Sequence, residues 1–127
     1  MKQKIFSKNA PEPIGPYSQA IMHGNMIFIS GQIGIDPNNN NNIINDNISN
    51  ETKMVMENIK NVLKHMDCEM NSIVKCSIFL SNMNDFQFVN EVYGKYFSEP
   101  YPARETVAVS TLPKNVNIEI SAIAICN

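Results

Sequence analysis

The chain has no tryptophan, and among its ten basic side chains only Arg104 is an arginine. With a net charge of −2, it has no basic, aromatic-interleaved stripe of the kind that grips a nucleic acid or an acidic membrane surface. Cysteine is scarce: Cys68, Cys76 and Cys126 make an odd count without a C-x-x-C pair, which argues against a disulfide framework and reads as buried or surface thiols. His23 and His65 have no metal-ligand spacing with each other or with the cysteines, so no metal is expected. No apolar run approaches the length of a membrane span. The opening "MKQKIFSKNAPEPIGPYS" has neither the apolar core of a secretion signal nor the arginines of a transit peptide. These absences predict a soluble intracellular protein that binds no nucleic acid and no membrane.

The 127 residues suffice for one domain, residues 1–127, with a real core, and 43% hydrophobic against 17% charged residues is ordinary for a globular chain. "AIMHGNMIFIS" (20–30) reads as two strands about Gly24-Asn25, residues that tolerate the positive φ of a tight hairpin. The Asn-rich stretch at about 38–50 reads as an exposed loop without a function of its own. Val55, Ile59, Val62, Leu63 and Met66 form one apolar stripe of a helix over 50–67, with Ser49 or Asn50 as cap and Glu51 at the positive end of the helix dipole.

"SIVKCSIFL" (72–80) is a strand with Val74, Cys76, Ile78 and Leu80 on one face and Ile73 and Phe79 on the other. A second helix spans 84–97, capped by Asn84 and burying Phe86, Val89, Tyr93, Tyr96 and Phe97, and the prolines of "EPYPA" end it. "TVAVS" and "VNIEISAIAI" are strands joined around "LPKN". The order predicts an α+β protein: a mixed sheet with two helices packed on one face, a parallel crossover running through the first helix. Two helices leave the other face bare although its strands carry apolar residues there. The simplest cover is another copy of the chain.

Alternation puts Arg104, Thr106, Ala108 and Ser110 on one strand face and Glu105, Val107 and Val109 on the other. If "LPKN" folds the chain straight back, Glu119 comes opposite residues 106–110 and shares a patch with Arg104 and Thr106. An ordinary surface ion pair would look the same. Two features favour a function. In a lysine-biased chain, an arginine marks a place needing a planar, two-pronged grip. Glu119 also interrupts the apolar string "IEISAIAI", where a charge is costly unless used.

"GPYSQA", "FISGQIG", "NDFQFVNEVYGKYF" and "YPARETVAVSTLPKNVNIEISAIA" resemble, in order and spacing over essentially the whole chain, the RidA (YjgF/L-PSP) family. The resemblance implies a chorismate-mutase-like α+β fold and a homotrimer with sites in the clefts between subunits. It implies hydrolysis of reactive enamine and imine intermediates, such as 2-aminoacrylate/2-iminopropanoate and 2-iminobutanoate, to 2-keto acids and ammonia, with no cofactor.

Carried over by position, Arg104 would hold the substrate carboxylate and Glu119 would activate water and move protons. Thr106 would hydrogen-bond that water, Tyr17 would line the cleft, Ser30 and Gly31 would offer hydroxyl and backbone contacts, and Asn90 would complete the polar lining. The plain alternatives are a packing aromatic for Tyr17, a turn residue for Ser30 and an exposed helix residue for Asn90. Many relatives have cysteine where this chain has Thr106, so thiol chemistry is excluded there; Glu105, where relatives are small or apolar, points away from Arg104 by alternation. A cytoplasmic location is expected, an organellar one being left open. Two other functions compete: an endoribonuclease or translation inhibitor acting on RNA, which the acidic balance and single arginine disfavour, and a trimer that binds a small ligand without turnover.

Overall fold

A computed structural model describes residues 1–127. In chain order its elements are β1 (Gln3–Ile5), β2 (Ala20–His23), β3 (Met26–Gln32), β4 (Ile35–Asp36), β5 (Asn42–Ile43), α1 (Ile48–His65), β6 (Ile73–Leu80), α2 (Phe86–Gly94), β7 (Ala103–Ala108) and β8 (Ile118–Ile125). Six strands form one sheet in the order β1-β2-β3-β8-β6-β7, and β4 and β5 form a separate small hairpin. Every pairing is antiparallel except β6 with β7, which α2 connects. This is the expected mixed sheet of an α+β fold. The parallel neighbours lie across α2, however, and not across α1. Because β3 and β6 are both antiparallel to β8, α1 links two strands running the same way, but β8 lies between them.

Both helices lie on one face. Val55, Met56, Ile59, Val62 and Leu63 of α1 are fully buried against Ile27, Ile78, Leu80, Ile118 and Ile120 of the sheet. Helix α1 starts two residues earlier than the pattern predicts, because Asn47 is the cap: its backbone is extended and its side-chain oxygen accepts the Asn50 N–H at 2.8 Å. Helix α2 is shorter than predicted. A 3₁₀ turn over Met83–Asp85 precedes it, capped by Asn82, whose side-chain oxygen accepts the Asn84 N–H at 2.9 Å. Val89 and Tyr93 are buried as expected, Tyr96 and Phe97 are half-buried, and Phe86 stays exposed.

Three further expectations need correction. The Asn run is no featureless loop. Asn42 pairs with Asp36, and Asn40 and Asn41 take the left-handed conformation (φ 55° and 57°) that asparagine tolerates better than other side-chain-bearing residues. In β6 the inward set is Ile73, Cys76, Ile78 and Leu80, because an irregularity at Val74 shifts the register between Ile73 and Lys75 and turns Val74 out. Cys68 and Cys126 are paired in a disulfide, their Cα atoms 6.1 Å apart and 58 residues apart in sequence; only Cys76 is free, and it is buried. Residue count cannot foresee that the turn after α1 meets the end of β8.

The other sheet face is bare. Met26, Phe28, Val107 and Ile125 are exposed on it, Phe28 and Val107 at 42% each, among half-buried Phe79 and Ile123. No helix is long and apolar enough to cross a membrane. The β6 register predicts that Ile78→Ala, which empties a fully buried site, costs about 2–5 kcal/mol, whereas Val74→Ala costs less than about 1 kcal/mol. Urea unfolding of the two variants checks this; equal losses would contradict the outward turn of Val74.

Candidate active site

Arg104 sits on the helix-covered face. In the parallel ladder it lies beside Cys76, and Thr106 lies beside Ile78. Helix α2 meets it with Phe86, Asn90 and Tyr93, spaced four and three residues apart on one helical face. The guanidinium Nη1 donates to Asn90 Oδ1 at 2.8 Å, and its carbon lies 5.0 Å from the Tyr93 ring centre and 5.5 Å from that of Phe86. A flat cation suits both contacts, and four of its five N–H donors remain for a ligand. Gly94, Tyr101 and Pro102 complete an open pocket of about 350 Å³. Below it, burial raises the Cys76 thiol and the Tyr93 hydroxyl, so both stay protonated at neutral pH. The Thr106 hydroxyl is buried without a hydrogen-bond partner.

Glu119 sits elsewhere. Between the pairs Ile29–Ala122 and Gln32–Ile120, β3 carries two residues, Ser30 and Gly31, against the single Ser121 of β8. This bulge brings Gly31 onto the Glu119 side chain. A Cβ there would come within 2.7 Å of the carboxyl carbon and 2.9 Å of Cγ, so any larger residue would push the Glu119 side chain aside. The Ser30 hydroxyl donates to the Ser18 carbonyl at 2.6 Å, and its N–H donates to the Gln19 carbonyl at 2.9 Å.

Buried Gln19 anchors the segment ahead of Tyr17. Its Oε1 accepts the Ser7 N–H, and its Nε2 lies 2.9–3.1 Å from the carbonyls of Ser7, Ala10 and Pro11. Tyr17 folds back, its hydroxyl accepting the Ile14 N–H at 3.3 Å. Ile14, Tyr17, Ser30, Gly31, Pro113 and Glu119 thus frame a second open pocket, of about 360 Å³. Burial pushes the Glu119 carboxyl above the usual carboxylate range, with no cation close by to offset it.

The expected single patch of Arg104, Thr106 and Glu119 is therefore not formed within one chain. "LPKN" does not make a hairpin, because β6 lies between β7 and β8. Across that ladder Arg104 aligns with Cys76 and Ala122, and Thr106 with Ile78 and Ile120, all on the helix side. Glu119 aligns with Phe79 and Val107 on the bare side. Seven predicted residues divide into two groups, Arg104, Asn90 and Thr106 in one and Tyr17, Ser30, Gly31 and Glu119 in the other.

Glu105 shares the bare face, where it accepts a hydrogen bond from the Ser77 hydroxyl and pairs with Lys75 at 3.3 Å. The Ser77 hydrogen bond and the Lys75 ammonium hold its carboxyl below the usual range, and it makes no contact with Arg104. Sequence reading missed the flanking Phe86 and Tyr93, taken as core, and the pocket walls Ile14 and Pro113. The i, i+4, i+7 spacing of Phe86, Asn90 and Tyr93 was the available signal for the first pair.

A raised Glu119 means that the folded chain keeps this proton at pH values where the unfolded chain has lost it. Its contribution to stability is then complete below the ordinary carboxylate range and is lost as pH rises through the raised pKa. Glu119→Gln should raise Tm near neutrality, by a few degrees at most because the half-exposed group is partly screened by water. The gain should vanish below about pH 3, where the wild-type acid is protonated in both states. Melting curves across that range decide it; a gain that grows toward low pH would contradict the assignment.

The family model described as Endoribonuclease L-PSP matches residues 7–126. A RutC family protein of Pyrococcus horikoshii is 52% identical, the match covering 98% of each chain. A human 2-iminobutanoate/2-iminopropanoate deaminase is 40% identical over 98% of this chain and 90% of its own. The crystal structure of a putative endoribonuclease from Thermotoga maritima superposes with a TM-score of 0.95 at 46% identity, covering 100% of this chain and 99% of its own. Such agreement across nearly the whole length, in sequence and in fold, makes this chain a member of the L-PSP/RidA family.

Proposed function

We propose that the protein hydrolyses 2-imino acids, such as 2-iminobutanoate and 2-iminopropanoate with their enamine tautomers, to 2-keto acids and ammonia, at sites shared between copies of the chain in a homotrimer. The observation that carries this reading is the division of polar groups. A carboxylate grip (Arg104, Asn90) opens on one side of the sheet, and a half-buried acid with its pocket (Glu119, Tyr17, Ser30, Gly31) opens on the other. Neither half alone both holds an acid and activates water. Burying the apolar strip of Met26, Phe28, Val107 and Ile125 against a second copy gives a reason for the halves to meet. A relative carrying the deaminase name at 40% identity supports the substrate class.

In such a cleft Arg104 binds the carboxylate of the imino acid through its free N–H groups, and Asn90 and the two rings keep the guanidinium plane still. Ionised Glu119 takes a proton from water as the oxygen bonds to the imine carbon; the C=N π pair moves to nitrogen, and Glu119 delivers the proton there. The resulting carbinolamine then loses ammonia. Glu119 takes the hydroxyl proton and passes it to nitrogen as the C–N bond breaks, ammonia departs and C=O forms. One imine and one water give one keto acid and one ammonia, with no covalent enzyme intermediate. The Thr106 hydroxyl lies on the Arg104 face, buried and without a partner in the single chain. Burial of Glu119 brings its basicity closer to neutral pH, where general-base catalysis is most effective.

The test generates 2-iminobutanoate with a threonine dehydratase and follows keto-acid release. The wild type should accelerate release. Arg104→Lys should lose about tenfold or more by losing the two-pronged grip, and Glu119→Gln should lose about 100-fold. Arg104→Ala and Glu119→Ala, each inactive alone, should recover about a quarter of wild-type activity when co-refolded in equal amounts, because one in four shared sites then has both halves intact. No acceleration by the wild type sinks the activity. No recovery on mixing, with an active wild type, sinks the shared site.

A further inference from the structure

We propose that Glu51 is the positioning residue for Glu119: from the first turn of α1 it clamps Asn117 and so sets the loop from which β8 and its acid emerge. The inference rests on the reading of Glu119 as the base. Glu51 is completely buried, with none of its surface exposed, and takes part in no ion pair. Its Oε2 accepts the Asn117 backbone N–H and its Oε1 accepts Asn117 Nδ2–H, both at 2.8 Å. Two donors of one residue meeting two oxygens of one acid match the acceptor-only pattern of a carboxylate. The remaining groups of Asn117 are also engaged: its carbonyl accepts the Ser81 N–H at 3.0 Å, and its Oδ1 accepts the Ser81 hydroxyl at 3.3 Å. Asn117 is thereby fixed between α1 and the end of β6, two residues before Glu119.

The surroundings are built for this contact. A Cβ on Gly34 would come within 3.1 Å of Glu51 Cγ and of the Ile44 carbonyl, so the absence of a side chain there accommodates the acid. The loop leading to Asn117 holds Lys114 and Asn115 in the left-handed conformation, φ 57° and 56°. Two such residues in succession persist only where the structure around them over-determines the backbone. Buried Val116 packs with Ile33 and Ile35 to close one side of that loop, and the Glu51–Asn117 clamp closes the other. The loop supplies Pro113 to the Glu119 pocket and delivers the first residues of β8. An apolar side chain would serve packing alone at lower cost than a buried acid; what the acid adds is a two-point hold on one backbone position.

Glu51→Gln leaves one oxygen facing one of the two donors and turns an N–H₂ group on the other. In the swapped pair Glu51→Gln/Asn117→Asp, the glutamine oxygen still accepts the residue 117 N–H and its amide donates to the new carboxylate, so both bonds return, the side-chain one with reversed polarity. Losing a hydrogen bond to a charged group should speed amide hydrogen exchange over residues 112–118 by about tenfold, leaving Ile59 and Ile78 unchanged. In the imine assay kcat should fall about tenfold with KM within about twofold, because the grip at Arg104 is untouched. The acid limb of the kcat profile should move toward the ordinary carboxylate range as Glu119 becomes hydrated. The swapped pair should restore exchange, kcat and the limb, and should fold even if the single variant does not.

Exchange that is unchanged over 112–118, or accelerated throughout, overturns the clamp. So does wild-type kcat in Glu51→Gln when Glu119→Gln shows its loss of about 100-fold, or failure of the swapped pair to rescue. If the wild type shows no turnover at all, the proposed function fails, and the exchange pattern still decides the clamp.

Discussion

Strand β6 is hydrogen-bonded on both edges, antiparallel to β8 and parallel to β7, and this double pairing determines where every candidate functional side chain points. Side chains that align across a ladder share a face. Once Phe79 aligns with both Val107 and Glu119, the even-numbered residues of β7 face the helices and the odd-numbered residues of β8 face away. The arginine and the acid are then on opposite sides of one sheet by geometry, whatever rotamers they adopt. A shift of β6 by one residue would reverse its own pattern and drive Cys76, Ile78 and Leu80 out of the core. The burial of these three residues locks the register, and the register separates the two groups of candidate residues.

Much of this was legible in the chain. The Gly24-Asn25 turn, the apolar stripe of α1 and the alternation of Arg104 with Glu105 follow from local periodicity and turn chemistry, and each appears where the pattern puts it. What the sequence hid is non-local. β7 and β8 are consecutive strands joined by nine residues, and a hairpin is the economical guess for such a pair. They are not neighbours, because β6 is apolar enough to need cover along both edges and takes the place between them. The same blindness to long-range contact concealed the Cys68–Cys126 pair and the reach of Glu51 to Asn117, 66 residues away. Local signals also misled where a short-range rule had more than one outcome. Asn47, Ser49 and Asn50 are all fit to cap a helix, and the extended backbone at Asn47 decides among them.

The lone arginine is explained by its contacts and not by its charge alone. A lysine ammonium could approach one ring or one amide, but it lacks the planar, five-donor head whose carbon lies near both Tyr93 and Phe86 while Nη1 donates to Asn90. Helix α2 supplies all three partners from one face. The residues that look like core periodicity are therefore also the mould of the grip, and α2 serves the fold and the site with the same side chains.

The acids show the complementary logic. Glu105 and Glu119 lie on the same sheet face, yet their affinities for protons move in opposite directions, because Glu105 has a hydroxyl and an ammonium as partners while Glu119 has only desolvation. Glu51 shows a third use of the same side chain, spending both oxygens on one neighbour and having neither free for a ligand. An acid without partners beside an open pocket is the one whose proton is free to move, and that single distinction separates Glu119 from the other two.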